Sequence, residues 1–199
     1  MKGGFFILNL EGKRVGFIFT GSFCTFRRTI DELKKIVKLC AKVIPIMSEN
    51  SYTMDTKYGK AEDHVREIEE ITGNKILHTI QEVELIGPKD MIDIMVVAPA
   101  TGNTIAKLAN DICDSSVTVA VKSHLRRERP VVIGISTNNG LSSGGQNIGK
   151  LFNFKNYYFV PFRQDNPITK PRSIVFDPSF LIKTIEYALD GEQVQPMLL

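Results

Sequence analysis

The run IDIMVVA, residues 92–98, is almost continuously apolar, and the segment APATGNTIAKLAN (98–110) that follows it changes period. A strand with one wet face alternates polar and apolar residues. A run apolar at nearly every position belongs to a sheet covered on both faces, which restricts the chain to helices packed on either side of a mainly parallel sheet. Ile105, Leu108, Ala109 and Ile112 then recur at helical spacing. The strand therefore feeds a helix through a turn of Pro, Thr, Gly, Asn and Thr. Such a turn either caps the helix and nothing more, or presents hydrogen-bonding groups to a ligand at the carboxyl end of the strand.

The alternation continues along the chain. KRVGFIF (13–19), KVIPIM (42–47), PVVIGIS (130–136) and YYFVP (157–161) read as further strands, with Pro45 marking an edge or irregular position. Ile30, Leu33, Ile36, Val37 and Cys40 predict a helix over 24–40. Ala61, Val65, Ile68 and Ile71 predict another, stopped by Thr72–Gly73. Residues 115–127 lie between two strands and are placed as a crossover helix, while 75–87 stay unassigned. A Gly-rich loop and a short helix separate the strands 130–136 and 157–161. Asp177 as N-cap with Pro178 at the first helical position starts a last helix that Gly191 closes. FRQDNPITKPRS (162–173) is expected to be a long loop. The expected fold class is α/β, a Rossmann-like or flavodoxin-like three-layer sandwich with a mainly parallel sheet. Residues 1–12 form a lead-in and 13–199 a single domain, a size that one hydrophobic core can serve.

Several function classes are excluded on composition. Lys plus Arg number 25 and Asp plus Glu 22, a dispersed net +3, whereas nucleic-acid binding needs a clustered basic face. The cysteines Cys24, Cys40 and Cys113 are odd in number and in no metal-ligand spacing, as expected of a reduced, cytoplasmic chain with no metal site. GFFILNL near the start is too short for a signal peptide or a membrane span.

In an open sheet of this kind ligands bind beyond the carboxyl ends of the strands, so the strand-end turns TGSF, SENSYT, APATGNT, STNNG and PFRQDN carry the functional question. TGSFC (20–24) places Gly21 at a tight turn, with Thr20 and Ser22 hydroxyls near free amides at a helix start, which suits an anion as well as an ordinary cap. Its glycines do not have the dinucleotide spacing. Gly144 to Lys150 matches G-x-x-x-x-G-K, but Leu151 stands where a triphosphate-binding loop needs Ser or Thr. That region is expected to be a flexible loop near the ligand. RRER (126–129) is either a solvated helix end or a clamp for a carboxylate-rich substrate. His64, His78 and His124 sit in none of the strand-end turns, and Cys24 is read as a buried structural thiol.

The register P-A-T-G-N-T, Pro99 to Thr104, resembles the P-A-S-A-N-T motif of the flavin-containing cysteine decarboxylase superfamily. The resemblance implies a Rossmann-like fold, flavin mononucleotide (FMN) bound between subunits, and homo-oligomeric assembly as a trimer or a multiple of it. It implies that Thr20, Gly21 and Ser22 contact the flavin phosphate and that Asn103 and Thr104 lie at the flavin. The candidate cofactor contacts are accordingly Thr20, Gly21, Ser22, Pro99, Ala100, Thr101, Asn103 and Thr104, with Ser136 and Thr137 from the STNNG turn. Asn138, Arg126 and Arg129 are candidate substrate contacts, and no catalytic residue is assigned.

GKRVGFIFTGSFCT, DTKYGKAEDHVREIEEITGNKI, VVAPATGNTIAKLAND, RPVVIGISTNNG, YYFVPFRQDNP and GEQVQPMLL are similar, from about residue 11 to the end, to the family of dipicolinate synthase B subunits. This implies oxidation of dihydrodipicolinate to dipicolinate during sporulation, with the A subunit of dipicolinate synthase as partner and carrier of the nicotinamide nucleotide, NAD or NADP. Two departures from the wider superfamily stand out. Its P-x-M-N-x-x-M-W motif is replaced by STNNG in a chain without Trp, and its catalytic histidine has no counterpart. An independent FMN-dependent decarboxylase or prenyltransferase, and a non-catalytic stabilising subunit, remain the alternative readings.

Overall fold

A computed structural model describes residues 10–39 and 41–199. The apolar runs become strands β1 (Arg14–Phe19), β2 (Lys42–Met47), β3 (Ile94–Ala100), β4 (Val131–Thr137) and β5 (Tyr157–Phe159). They are joined by β6 (Phe162–Asn166) and β7 (Lys170–Phe176) in one seven-stranded sheet of order β2-β1-β3-β4-β7-β6, with β5 also against β4. The pairs β1–β2, β1–β3, β3–β4 and β4–β5 are parallel, and β4–β7 and β6–β7 antiparallel. Every residue of β3 is buried, as a central strand between two helical layers requires. Pro45 lies in β2, the edge strand, where a missing amide donor costs no ladder bond to a further neighbour.

The helices are α1 (Phe26–Lys38), α2 (Glu49–Thr53), α3 (Ala61–Thr72), α4 (Ile80–Val83), α5 (Gly102–Ala109), α6 (Ser116–Leu125), α7 (Gly145–Phe152) and α8 (Leu181–Leu189). α1 packs with α3 and α8 on one side of the sheet, and α4 to α7 pack among themselves on the other. The core between them is built on Phe17, Phe19, Phe26, Leu33 and Ile36, all at most 1% exposed. Local signals set the helix ends as expected. Gly73 stops α3 in the left-handed conformation (φ 67°), where a side chain would be strained. Asp177 Oδ1 accepts the Ser179 amide at the start of the turn that leads into α8. Among the described residues no helix is long and apolar enough to cross a membrane.

Four expectations change. β3 runs to Ala100 rather than 98, with a register shift against β4 between Val97 and Ala100, so Pro99 and Ala100 are strand residues. The stripe after the turn ends at Ala109, leaving Ile112 47% exposed beyond the helix. Residues 162–173 are no loop but most of the hairpin β6–β7, turned where Asn166 Oδ1 accepts the amides of Ile168 and Thr169. Both sides of its distal half face water, so no apolar alternation marks it. Residues 75–87 hold a parallel bridge from Leu77 to Ile46 and then α4, whose Thr79–Glu82 capping box satisfies its first amides. Cys40, the last apolar position of the first helical stripe, and residues 1–9 of the lead-in lie outside the described residues. Leu10, within that lead-in, is fully buried.

Candidate functional site

The carboxyl ends of β1, β3 and β4 meet on one side of the sheet, and short polar side chains tie the turns that leave them. Thr20 Oγ1 donates to the Pro99 carbonyl (2.7 Å) and accepts the Thr101 amide (3.0 Å), joining the β1 turn to the β3 turn. Thr20 is 1% exposed, so this hydroxyl is spent on the protein and does not face a ligand. The Ser22 and Ser136 hydroxyls lie 2.7 Å apart and join the β1 turn to the end of β4. At Gly102 the two remaining turns approach so closely that a Cβ would lie 2.5 Å from Thr137 Oγ1 and 2.8 Å from Asn139 Oδ1. Only glycine allows that approach without displacing a side chain.

The turn after β3 is both a cap and part of a wall. Thr101 Oγ1 accepts the Thr104 amide and so starts α5, which leaves Asn103, one position inside the helix, exposed. Around these turns lies a cavity of about 660 Å³, within the usual size of small-molecule sites. Gly21, Ser22, Thr101, Asn103, Ser136, Thr137 and Asn138 line it, so seven of the sequence candidates converge there. Thr20, Pro99, Ala100 and Thr104 stand behind it. Ala100 is fully buried in the core, Pro99 offers its carbonyl to Thr20, and Thr104 is engaged with the cap.

Arg126 and Arg129 are not in this cavity. Arg129 precedes β4, at the opposite end of the sheet, and pairs with Asp90 (2.9 Å) and Asp93 (3.4 Å). Arg126 follows α6 beside a separate groove. The clamp reading of RRER therefore gives way to an internal ion cluster plus an exposed helix end. The G-x-x-x-x-G-K segment is no phosphate loop either, since Lys150 Nζ donates to Asn110 Oδ1 (2.9 Å). Nor is its lead-in loose: the Asn139 carbonyl accepts the Ser142 and Gly144 amides, and Leu141 N donates to the Arg172 carbonyl.

The sequence reading missed several lining residues. Cys24 is exposed on the cavity, not buried; it lies in the 3-10 turn Phe23–Thr25 before α1, where the inward positions are taken by Thr25 and by Phe26, the first residue of α1. Arg28 and Tyr58 also face it, and the hairpin supplies Asp165, Lys170, Ser173, Ile174 and Val175. Lys170 Nζ lies 2.7 Å from Asp165 Oδ2, a pair that holds the lysine pKa above its ordinary value. The polar run 162–173 is the signal that could have marked this wall. None of the three histidines lines the cavity. His64 packs edge-on to Phe26, His78 stacks on Tyr52, and His124 is buried with Nε2 3.0 Å from the Pro130 carbonyl.

Hydroxyls, amides and glycine backbone thus gather at three strand ends, in a chain that matches a known family. The Flavoprotein family model matches residues 8–164. The chain is 43% identical over 190 residues to the dipicolinate synthase B subunit of Bacillus subtilis (strain 168), covering 96% of this chain and 95% of that protein. The chain belongs to the Flavoprotein family and, within it, to the group of dipicolinate synthase B subunits. The crystal structure of the dipicolinate synthase B subunit from Bacillus halodurans C superposes with a TM-score of 0.88 at 44% identity, covering 96% of this chain and 98% of that one. The FMN-dependent cysteine decarboxylase SpaF shares the fold, with a TM-score of 0.67 at 20% identity over 90% of this chain and 98% of that one.

Proposed function

We propose that this chain is the B subunit of a cytoplasmic dipicolinate synthase that works with the A subunit of that enzyme to oxidise dihydrodipicolinate to dipicolinate during sporulation. The observation that carries the reading is the 43% identity, along nearly the full length of both chains, to a protein named as the B subunit of dipicolinate synthase. Residues 13–199 act as one domain, neither nucleic acid nor membrane takes part, and the chain assembles as a trimer or a multiple of one. NAD or NADP is assigned to the A subunit, because this chain lacks the glycine fingerprint for a dinucleotide.

The cavity suits FMN. Its volume is adequate, and its lining is dominated by groups that donate and accept hydrogen bonds without fixed charge. Gly21 and Ser22 would hold the phosphate. Asn103, whose amide both donates and accepts, would meet the edge of the ring, and Ser136 and Thr137 would flank it. FMN bound there would supply a two-electron acceptor for the hydride. The residues of this chain bind and orient: Thr20 sets the spacing of the two turns, and Asn138 and the hairpin wall hold the substrate side. An independent decarboxylase fits less well, because no histidine lines the cavity among the described residues.

The test is FMN titration of the purified chain by absorption, followed by reconstituted dihydrodipicolinate oxidation with the A subunit, wild type against Asn103→Ala. Losing a hydrogen-bonding group of this kind costs about 1–3 kcal/mol, so FMN affinity falls roughly five- to a hundred-fold. The melting temperature stays put, because Thr101 still caps α5. Unchanged affinity and turnover in a well-folded variant would overturn the site and favour a non-catalytic stabilising subunit.

A further inference from the structure

α1 carries two adjacent arginines with different fates. Arg27 turns outward to Asp31 (2.9 Å) and Glu67 (3.1 Å), so its charge is met on the protein surface. Arg28, one residue on, faces the cavity, and no carboxylate of the described residues engages it. The other cation of the lining, Lys170, is matched on the spot by Asp165, the one acidic residue in that lining. The remaining lining groups are neutral. The cavity therefore holds one uncompensated positive charge, on the side chain best shaped to pair a carboxylate in two-pronged fashion. Arg28 lies six residues beyond Ser22, roughly 10 Å further along the helical axis. Its backbone is thus set apart from the turn residues Gly21 and Ser22, and its guanidinium is the cavity's free charged contact for an anionic group.

We propose that Arg28 recognises a carboxylate of the substrate and is what makes the cavity prefer a dicarboxylate to a monocarboxylate. The inference rests on the function proposed above and deepens it by naming the specificity-determining residue. Arg28 takes the part that Arg126 and Arg129 cannot play from the far end of the sheet.

The experiment uses the full chain with the A subunit of the enzyme and saturating FMN, and measures calorimetric binding of pyridine-2,6-dicarboxylate and pyridine-2-carboxylate. Wild type is expected to prefer the dicarboxylate by about tenfold or more. Arg28→Gln binds both acids alike, Arg28→Lys recovers part of the preference, and Arg27→Gln keeps all of it. FMN affinity and melting temperature are the same in all four proteins. An Arg28→Gln protein that keeps the preference overturns the inference alone, as does one that loses it only together with its FMN affinity. A wild type that binds neither acid overturns the proposed function as well.

Discussion

The two ends of the sheet are built from different chemistry. At the amino ends of β1, β3 and β4, arginines and aspartates close on one another. Arg14 donates from Nε and its backbone amide to Asp93 (3.1 and 2.9 Å), Arg129 pairs with both Asp90 and Asp93, and Arg127 reaches Asp90 at 3.5 Å. Buried beside them is the neutral His124. At the carboxyl ends the ties are hydroxyl to carbonyl and hydroxyl to hydroxyl, through Thr20, Ser22 and Ser136. Charges that satisfy each other stabilise the fold but cannot recognise anything. Short neutral groups hold the turns together and still leave a lined cavity, with Arg28 as its one unmatched charge among the described residues.

The contrast can be broken most strongly by pH. Burial pushes the His124 pKa down from its ordinary 6.5 to about 4, aided by Arg129 and opposed by the Pro130 carbonyl, Asp93 and Asp90. The unfolded chain therefore takes up this proton near pH 6.5 and the folded chain only near pH 4. The stability from a neutral His124 is complete above pH 6.5 and is lost as pH falls toward 4, about 3 kcal/mol at most. Urea unfolding at pH 7 and pH 4.5 should show His124→Gln losing less stability between the two than wild type. Equal losses would remove His124 as the cause.

A smaller effect is expected at the neighbouring ion cluster. The Arg14 hydrogen bond holds the Asp93 carboxyl below its usual pKa, so Asp93→Asn leaves Arg14 and Arg129 short of a partner. The expected cost is about 2 kcal/mol, or roughly 4–8 °C for a domain of this size. FMN affinity should not change, because β1 spans roughly 20 Å between the two ends. A parallel loss of FMN affinity would show that the ends are coupled.

Thr20→Val reverses the pattern. It keeps the shape but leaves the buried Pro99 carbonyl and Thr101 amide without their shared hydroxyl, for about 1 kcal/mol of stability. The larger consequence falls on binding, since the β1 and β3 turns lose their spacing. FMN affinity should fall more than the melting curve suggests, and a variant with lowered melting temperature but intact FMN affinity would refute this role of Thr20.

Much of the scaffold was legible because its causes are local. Helical and strand periods, the Gly73 stop and the Asp177–Pro178 start each depend on a few adjacent residues. The placement of TGSF, APATGNT and STNNG at strand ends followed from the same periods, and ten of their residues line the cavity. The β6–β7 hairpin was not legible. Its strands are solvated along their distal half, and its pairing to β4 through Ser136–Val175 and Thr137–Ile174 spans a large sequence separation.

What each polar residue does with its chemistry was settled at long range. Arg129 and Arg28 are equal as letters, yet one meets Asp90 and Asp93 across the amino end of the sheet while the other meets no carboxylate among the described residues. Thr20 and Ser22 looked like equivalent anion donors until folding brought Pro99, 79 positions away, under one of them. Period and capping act between neighbours in the chain and can be read there. A hydrogen bond or ion pair exists only where folding brings its second partner, and that partner is set by the packing of the whole sheet.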